Sequence, residues 1–151
     1  MSILSNMLHL FFGISRPLTL GVRCILYDDA GSVMLVRHTY IPGWHLPGGG
    51  VEVGEDCEVA LGREVEEECQ VTITGKPSIV GIYFNSQVSP RDHVILYQSV
   101  SWGKDYNVPV NRCEIAESGI FSLNDLPIDI DPWTRQRLVE WKGSGESTSA
   151  W

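Results

Sequence analysis

The stretch that decides the fold runs Gly49-Gly50-Val51-Glu52-Val53-Gly54-Glu55-Asp56-Cys57-Glu58-Val59-Ala60-Leu61-Gly62-Arg63-Glu64-Val65-Glu66-Glu67-Glu68-Cys69-Gln70-Val71. From Glu55 to about Cys69 it reads as a helix. Glu55, Asp56 and Glu58 crowd its start, where acidic groups complement the positive end of the helix dipole. Glu64, Glu67 and Glu68 are related by steps of three and four residues, so their side chains share one narrow arc. Leu61 and Val65 fall beside that arc and should face a core, which draws Glu68 inward. Arg63 lies one turn before Glu67 and is expected to pair with it or with a nearby loop carboxylate.

Such an arrangement is unfavourable on its own. Each close pair of like charges on a helix costs a few tenths of a kcal/mol even when exposed. The three glutamates also sit in the C-terminal half, where the dipole disfavours anions, and no Lys or Arg follows within that turn. A solvated acidic face is the ordinary explanation for a Glu-rich helix. Hard divalent cations supply another: Mg²⁺ and Mn²⁺ prefer oxygen ligands and commonly bridge a protein carboxylate to a substrate phosphate. The segment before the helix bears on the choice.

Upstream, Thr19 to Tyr27 is rich in β-formers. Asp28-Asp29-Ala30-Gly31 is turn chemistry, and Ser32 to Arg37 follows as a second strand. Thr39 to Gly50 is dense in Gly and Pro and should be a shaped loop. Val51 to Val53 reads as a short strand. Downstream, strands are expected at Val71 to Thr74, Ile79 to Phe84 and His93 to Trp102, with a last short one starting at Ile120-Phe121. Pro132 suits a helix start, and Trp133, Leu138 and Trp141 give that closing helix its apolar side. The expected organisation is an N-terminal arm or short helix over 1–17, one domain over 18–142, and a loose Gly/Ser/Thr tail over 143–151. The fold class is mixed α and β in one layered domain.

Composition narrows the function. The formal charge of −8 repels polyanions, so neither a nucleic-acid polymer nor an anionic membrane surface is an expected partner. A small phosphorylated substrate remains open, because bound cations reverse the local sign. Cys24, Cys57, Cys69 and Cys113 form no Cys-x-x-Cys pair, which argues against structural zinc. Leu8 to Ile14 is apolar but lacks the flanks of an export signal and is too short to span a membrane. Scattered thiols without an export signal read as a reduced, cytoplasmic protein.

Gly49, five residues, Glu55, seven residues, then Arg63-Glu64-Val65-Glu66-Glu67-Glu68 and Val71 resemble the Nudix box. Leu46-Pro47-Gly48-Gly49 looks like that family's entry to the motif. One position departs: Gln70 stands where the family has glycine. A glycine there suits a left-handed helix cap, so Gln should cost stability or shift the helix end, but it removes no metal ligand. The resemblance implies an α/β/α sandwich with a mixed sheet, and hydrolysis of nucleoside diphosphates linked to another moiety. It implies that Glu64, Glu67 and Glu68 bind the cations, with the Gly48 carbonyl as a further ligand. Arg63 would orient a glutamate, with Glu55 as its structural partner.

By the same resemblance, Mg²⁺ or Mn²⁺ neutralises the diphosphate oxygens and acidifies a water that attacks phosphorus in line. Glu64 or Glu67 would take the proton, with Glu114 and Glu117 as second candidates against a reading as ordinary surface charge. Arg37 is a candidate phosphate contact, and Trp44 and Tyr83 are candidates to stack a base, with core packing at least as good an account of either aromatic. His38, His45 and His93 lack metal-ligand spacing and are expected in ordinary hydrogen-bonded roles. The chain is similar to small bacterial members acting on ADP-ribose or nucleoside triphosphates, and an NDP-sugar is a further candidate. The apolar arm is compatible with a homodimer. The alternative is a catalytically silent module of the same fold that binds a nucleotide or regulates a partner.

Overall fold

The computed structural model describes residues 13, 17–104, 113–143 and 148–151. Among these, seven strands and two helices follow in the order β1 (Thr19–Leu26), β2 (Ser32–His38), α1 (Cys57–Cys69), β3 (Val71–Ile73), β4 (Ser78–Phe84), β5 (Asp92–Ser99), β6 (Trp102–Lys104), β7 (Ile115–Ser122) and α2 (Pro132–Trp141). The sheet is mixed: β5 runs parallel to β1 on one side and antiparallel to β4 on the other. β2 pairs antiparallel with β7, and β3 with β6. The free edge of β1 is taken by the glycine-rich loop, with Val22 N donating to Gly49 O (2.8 Å) and Cys24 N to Pro47 O (2.9 Å).

Strand alternation sends successive side chains to opposite faces, and two cores result. Val22, Cys24 and Leu26 of β1, Met34 and Val36 of β2, and Ile95 and Tyr97 of β5 bury against Ala60, Leu61, Val65 and Cys69 of α1. The intervening Ile25, Val33, Leu35 and Leu96 bury with Leu138 of α2, Trp44, Leu46 and Tyr83. Strand layers with a helix on either side make the α/β/α sandwich expected from the sequence. No helix among the described residues is long and apolar enough to cross a membrane.

Several elements differ from expectation. Val51 to Val53 is not a strand: Glu55 N donates to Glu52 O (3.0 Å), closing a turn that leads into the helix. Helix α1 begins at Cys57, because Asp56 caps it by accepting from Glu58 N. The strand expected over His93 to Trp102 is broken into β5 and β6 around Val100-Ser101. β7 starts at Ile115 rather than near Ile120, since pairing with β2 recruits the poorly β-forming Glu117-Ser118-Gly119. The tail over 143–151 ends in backbone pairing: Phe84 N donates to Ser149 O (2.9 Å) and Trp151 N to Phe84 O (3.0 Å). Apart from residues 13 and 17, the arm over 1–17 lies outside the described residues.

Candidate active site

The glutamate helix is joined to the loop before it by one arginine. Arg63 forks onto Glu55, with Nε donating to Oε1 (2.9 Å) and Nη2 to Oε2 (3.0 Å). Its Nη1 donates to Glu64 Oε1 (2.7 Å) and its Nη2 also to Gly50 O (3.1 Å). Glu67 is farther, 3.8 Å from Nη1, and half exposed. The Arg63 hydrogen bonds, with a further one from Glu52 N, hold the Glu55 carboxyl down to about 2, and Glu55 in turn raises the Arg63 guanidinium above its ordinary value. This bidentate geometry fixes Arg63 as a strut, with Glu64 hung on its free edge.

Glycine is required beneath Glu64. A Cβ on Gly49 would stand 2.5–2.6 Å from the two Glu64 carboxylate oxygens, closer than real contacts allow. Gly48, at φ 135°, is pressed against β1, where a Cβ would strike the Val22 carbonyl oxygen and come within 2.9 Å of Arg23 Cα. The loop therefore lies flat on the strand and brings its backbone up to the helix.

Glu68 turns inward, as the flanking Leu61 and Val65 require. It is 7% exposed, and its Oε2 accepts from Gly48 N (2.8 Å). Burial pushes its carboxyl up to about 7; Arg23 and the Gly48 bond oppose the rise, and Glu64 and Glu114 add to it. His38 Nε2 is 3.8 Å from Glu68 Oε1, yet the two are not an ion pair. Burial first, then the charges of Arg23 and His45, drive His38 down to about 4, so the imidazole is neutral where Glu68 ionises. Arg23 itself, from β1, donates through Nη1 to Gly48 O.

A cleft of about 440 Å³ opens beside this cluster, lined by Arg37, His38, the loop from Thr39 to Gly43, and Asp129. His38 belongs to both, so the cleft reaches the buried end of the glutamate face. Tyr40 stands 65% exposed at its rim, with its ring centroid 5.3 Å from that of His38.

A family profile for the NUDIX domain matches residues 17–142. The chain belongs to the Nudix family. It is 25% identical over 133 residues to a Bacillus subtilis (strain 168) protein provisionally named an 8-oxo-dGTP diphosphatase, an alignment covering 87% of this chain and 85% of that one. It is 46% identical over 84 residues to an ADP-ribose pyrophosphatase of Methanocaldococcus jannaschii, covering 54% of this chain and 47% of the relative. The chain thus spans under half of that relative's length. A crystal structure of a MutT NUDIX hydrolase from Burkholderia pseudomallei superimposes with a TM-score of 0.67 at 25% identity, over 80% of this chain and 95% of that one.

With the Nudix fold in hand, the residues singled out from sequence separate into groups. Glu55, Arg63 and Glu64 are bonded together, and Gly48, Gly49 and Glu68 adjoin them. Glu114 is exposed, but its charge bears on Glu68 and Tyr40, which places it beside the site. Glu117 is exposed and sits opposite Arg37 in the β2–β7 register. Arg37 lines the cleft, bonded to Asp129 (2.7 Å) and stacked over Trp44 (4.8 Å).

The two aromatics read as base-stacking candidates are core residues. Trp44 is 4% exposed and packs edge-on against Phe121 at 4.7 Å. Tyr83 is 5% exposed, on the α2 side of the sheet, between Arg137 (4.6 Å) and Trp151 (5.7 Å). The histidines also need correction. His45 does hydrogen-bond, to Pro42 O at 2.9 Å, but His38 Nδ1 and His93 Nδ1 are buried without a hydrogen-bond partner. Arg23 is a site residue that the sequence reading did not single out, and His38, read there as an ordinary hydrogen-bonded histidine, also borders the site.

The donor set fits a hard cation in kind: all are oxygens of carboxylates or of the backbone. As the side chains stand, no three His, Cys, Asp or Glu groups among the described residues converge on one point. Arg63 holds Glu64 in place, so Glu67, half exposed, is the carboxylate left free to turn toward an ion. The Gly48 carbonyl, implied as a further ligand, already accepts from Arg23.

Proposed function

We propose that this Nudix chain cleaves a diphosphate linkage in a nucleoside diphosphate derivative, with ADP-ribose, an NDP-sugar or a (d)NTP as substrate and Mg²⁺ or Mn²⁺ as cofactor. The names carried by its relatives support a nucleotide substrate, and the bonded set Glu55–Arg63–Glu64 supports catalysis. A module that only bound nucleotide would have no use for a carboxylate held by a bidentate arginine against a glycine shaped to admit it.

Glu64 and Glu67 would hold the cation, which would neutralise the diphosphate oxygens and acidify water. Arg63 keeps Glu64 in one rotamer through a bond that leaves Glu64 Oε2 without a share in it. Glu67 is half exposed and only loosely tied to Arg63, so it is the freer of the two to take a proton from attacking water. Arg37, at the cleft wall and bonded to Asp129, would meet a phosphate on leaving that carboxylate. Tyr40, rather than Trp44 or Tyr83, offers an open aromatic face on which a base could stack.

The test is hydrolysis by the purified chain with Mg²⁺ across ADP-ribose, NDP-sugars, dinucleoside polyphosphates, (d)NTPs and a 5′-capped RNA. The last is included because charge alone argues against a polymer. Turnover of one class, abolished by EDTA and by Glu67→Gln, is expected. No turnover anywhere, with nucleotide binding and cation affinity unchanged in Glu67→Gln, would establish the silent module instead.

A further inference from the structure

The face of the sheet beneath α1 is covered unevenly. Its side chains stand in rows across β1, β5 and β4: Leu20–His93–Phe84, Val22–Ile95–Ile82 and Cys24–Tyr97–Ile79. α1 packs over β1, β2 and β3, and burial falls away toward β4. Val22 and Cys24 are fully buried and Ile95 and Tyr97 nearly so, yet Ile79, Ile82 and Phe84 stand 57%, 61% and 39% exposed. A polar atom is stranded in the same strip. His93, whose ring lies 5.4 Å from that of Phe84, has a buried Nδ1 with no partner among the described residues. A continuous apolar strip along an outer strand is a surface made to be covered.

The chain enters β1 at the Phe84 end of that strip, since Thr19 is in register with Asp92 and Leu20 with His93. Before it, Ser2, Ser5, Asn6, His9 and Gly13 recur at helical steps, and every other position from Ile3 to Ile14 is apolar. Gly13, the one residue of 1–16 that the structure describes, is helical and exposed, in keeping with its place on the polar stripe. No Asp or Glu occurs before Pro17, which suits a face bordered by Asp56 and Glu58, whose charges reach Tyr97. β4 lies two strand spacings from β1, about 10 Å, and Ser15 to Leu18 can span about 14 Å. We propose that the apolar arc of residues 3–14 docks on Ile79, Ile82 and Phe84 of its own chain and closes the strip beside α1. A second copy is the weaker occupant. Three side chains offer well under the about 800 Å² per partner of a stable dimer, and a tethered segment meets the strip at an effective concentration of roughly millimolar.

The experiment is thermal unfolding of the full chain as wild type, as Ile82→Lys, as an arm variant carrying Phe11→Ser and Phe12→Ser, and as the combination. Ile82→Lys puts a charge beneath the docked arm and should lower Tm by about 5 °C. In the arm variant, where nothing covers Ile82, the same substitution should cost at most about 2 °C. An equal shift in both backgrounds overturns the proposal.

Should a variant fail to fold, wild type decides through nuclear Overhauser contacts between the methyls of Ile79 and Ile82 and the rings of Phe11 and Phe12. In a sample mixed from labelled and unlabelled protein, they are expected within one chain. Contacts only between chains, with a doubled mass by light scattering, would make a second copy the occupant and overturn the proposal. The absence of any such contact overturns it as well. Neither readout depends on turnover or on a bound cation, so failure here leaves the proposed hydrolysis untouched.

Discussion

Replacing Glu68 with Gln should make the metal-free protein more stable at alkaline pH. Gln is nearly isosteric and keeps an acceptor for Gly48 N, but it removes a charge from a side chain that is 7% exposed. Burial raises the Glu68 carboxyl from about 4.5 to about 7 in the folded chain. The folded state therefore holds a proton that the unfolded state releases across that interval. Stability from this group is complete below the lower value and is lost as pH rises through the upper one. The shift sets a ceiling of about 3 kcal/mol on the loss, at about 1.4 kcal/mol per pH unit. The new amide N–H₂ must find partners, which takes back on the order of 1 kcal/mol; His38 Nε2, near Glu68 Oε1, can accept one of its hydrogens.

The net expectation is a gain of about 2 kcal/mol at about pH 8, and roughly 4–8 °C in Tm for a chain of this size. At about pH 5 the wild-type carboxyl is already protonated and the gain should nearly vanish. The assay is thermal or urea unfolding of both proteins in EDTA at the two pH values. Comparing the two proteins cancels every other titrating group. An equal difference at both pH values, or a less stable Gln variant at the alkaline one, would refute the account of Glu68 as a buried and electrostatically costly carboxylate.

Other perturbations give sharper readings of single contacts. Gly49→Ala puts a methyl into the space of the Glu64 carboxylate; turnover should fall by about 100-fold while the circular dichroism spectrum is kept. Arg63→Lys cannot bridge Glu55 and Glu64 together, so cation affinity or kcat should drop by roughly 10–100-fold in steady-state assays and Mn²⁺ titrations. Gln70 is the one non-glycine residue at positive φ among the described residues, at φ 54° and ψ 44°. The Gly variant there should exceed the Ala variant in stability by about 1 kcal/mol in urea unfolding, because both lack the amide side chain and only Ala carries the left-handed strain.

What the sequence reveals about this site follows the distance over which each signal acts. The glutamate arc and the inward turn of Glu68 depend on steps of a few residues along one helix, and local periodicity exposes them; the left-handed cap at Gln70 was legible only through the motif. Gln70 took the left-handed cap without moving the helix end, so of the two expected outcomes the strained one occurred. The Glu55–Arg63 strut spans eight positions and was legible through the motif. Exposure was not: Trp44 and Tyr83 look alike, as aromatics near a glycine-rich loop or on a strand, until the sheet assigns each to the α2-side core. Arg23 and His38 depend on a register between segments that no local pattern encodes, since β1 meets Gly48 across 25 positions. One signal was present all the same. A charged residue inside the otherwise apolar run from Leu20 to Tyr27 must be served by something, and the only loop rich enough in glycine to lie flat against that strand is the one that carries Gly48. An unexplained charge in a buried strand, read together with a loop that can approach it, points to a site residue where either feature alone does not.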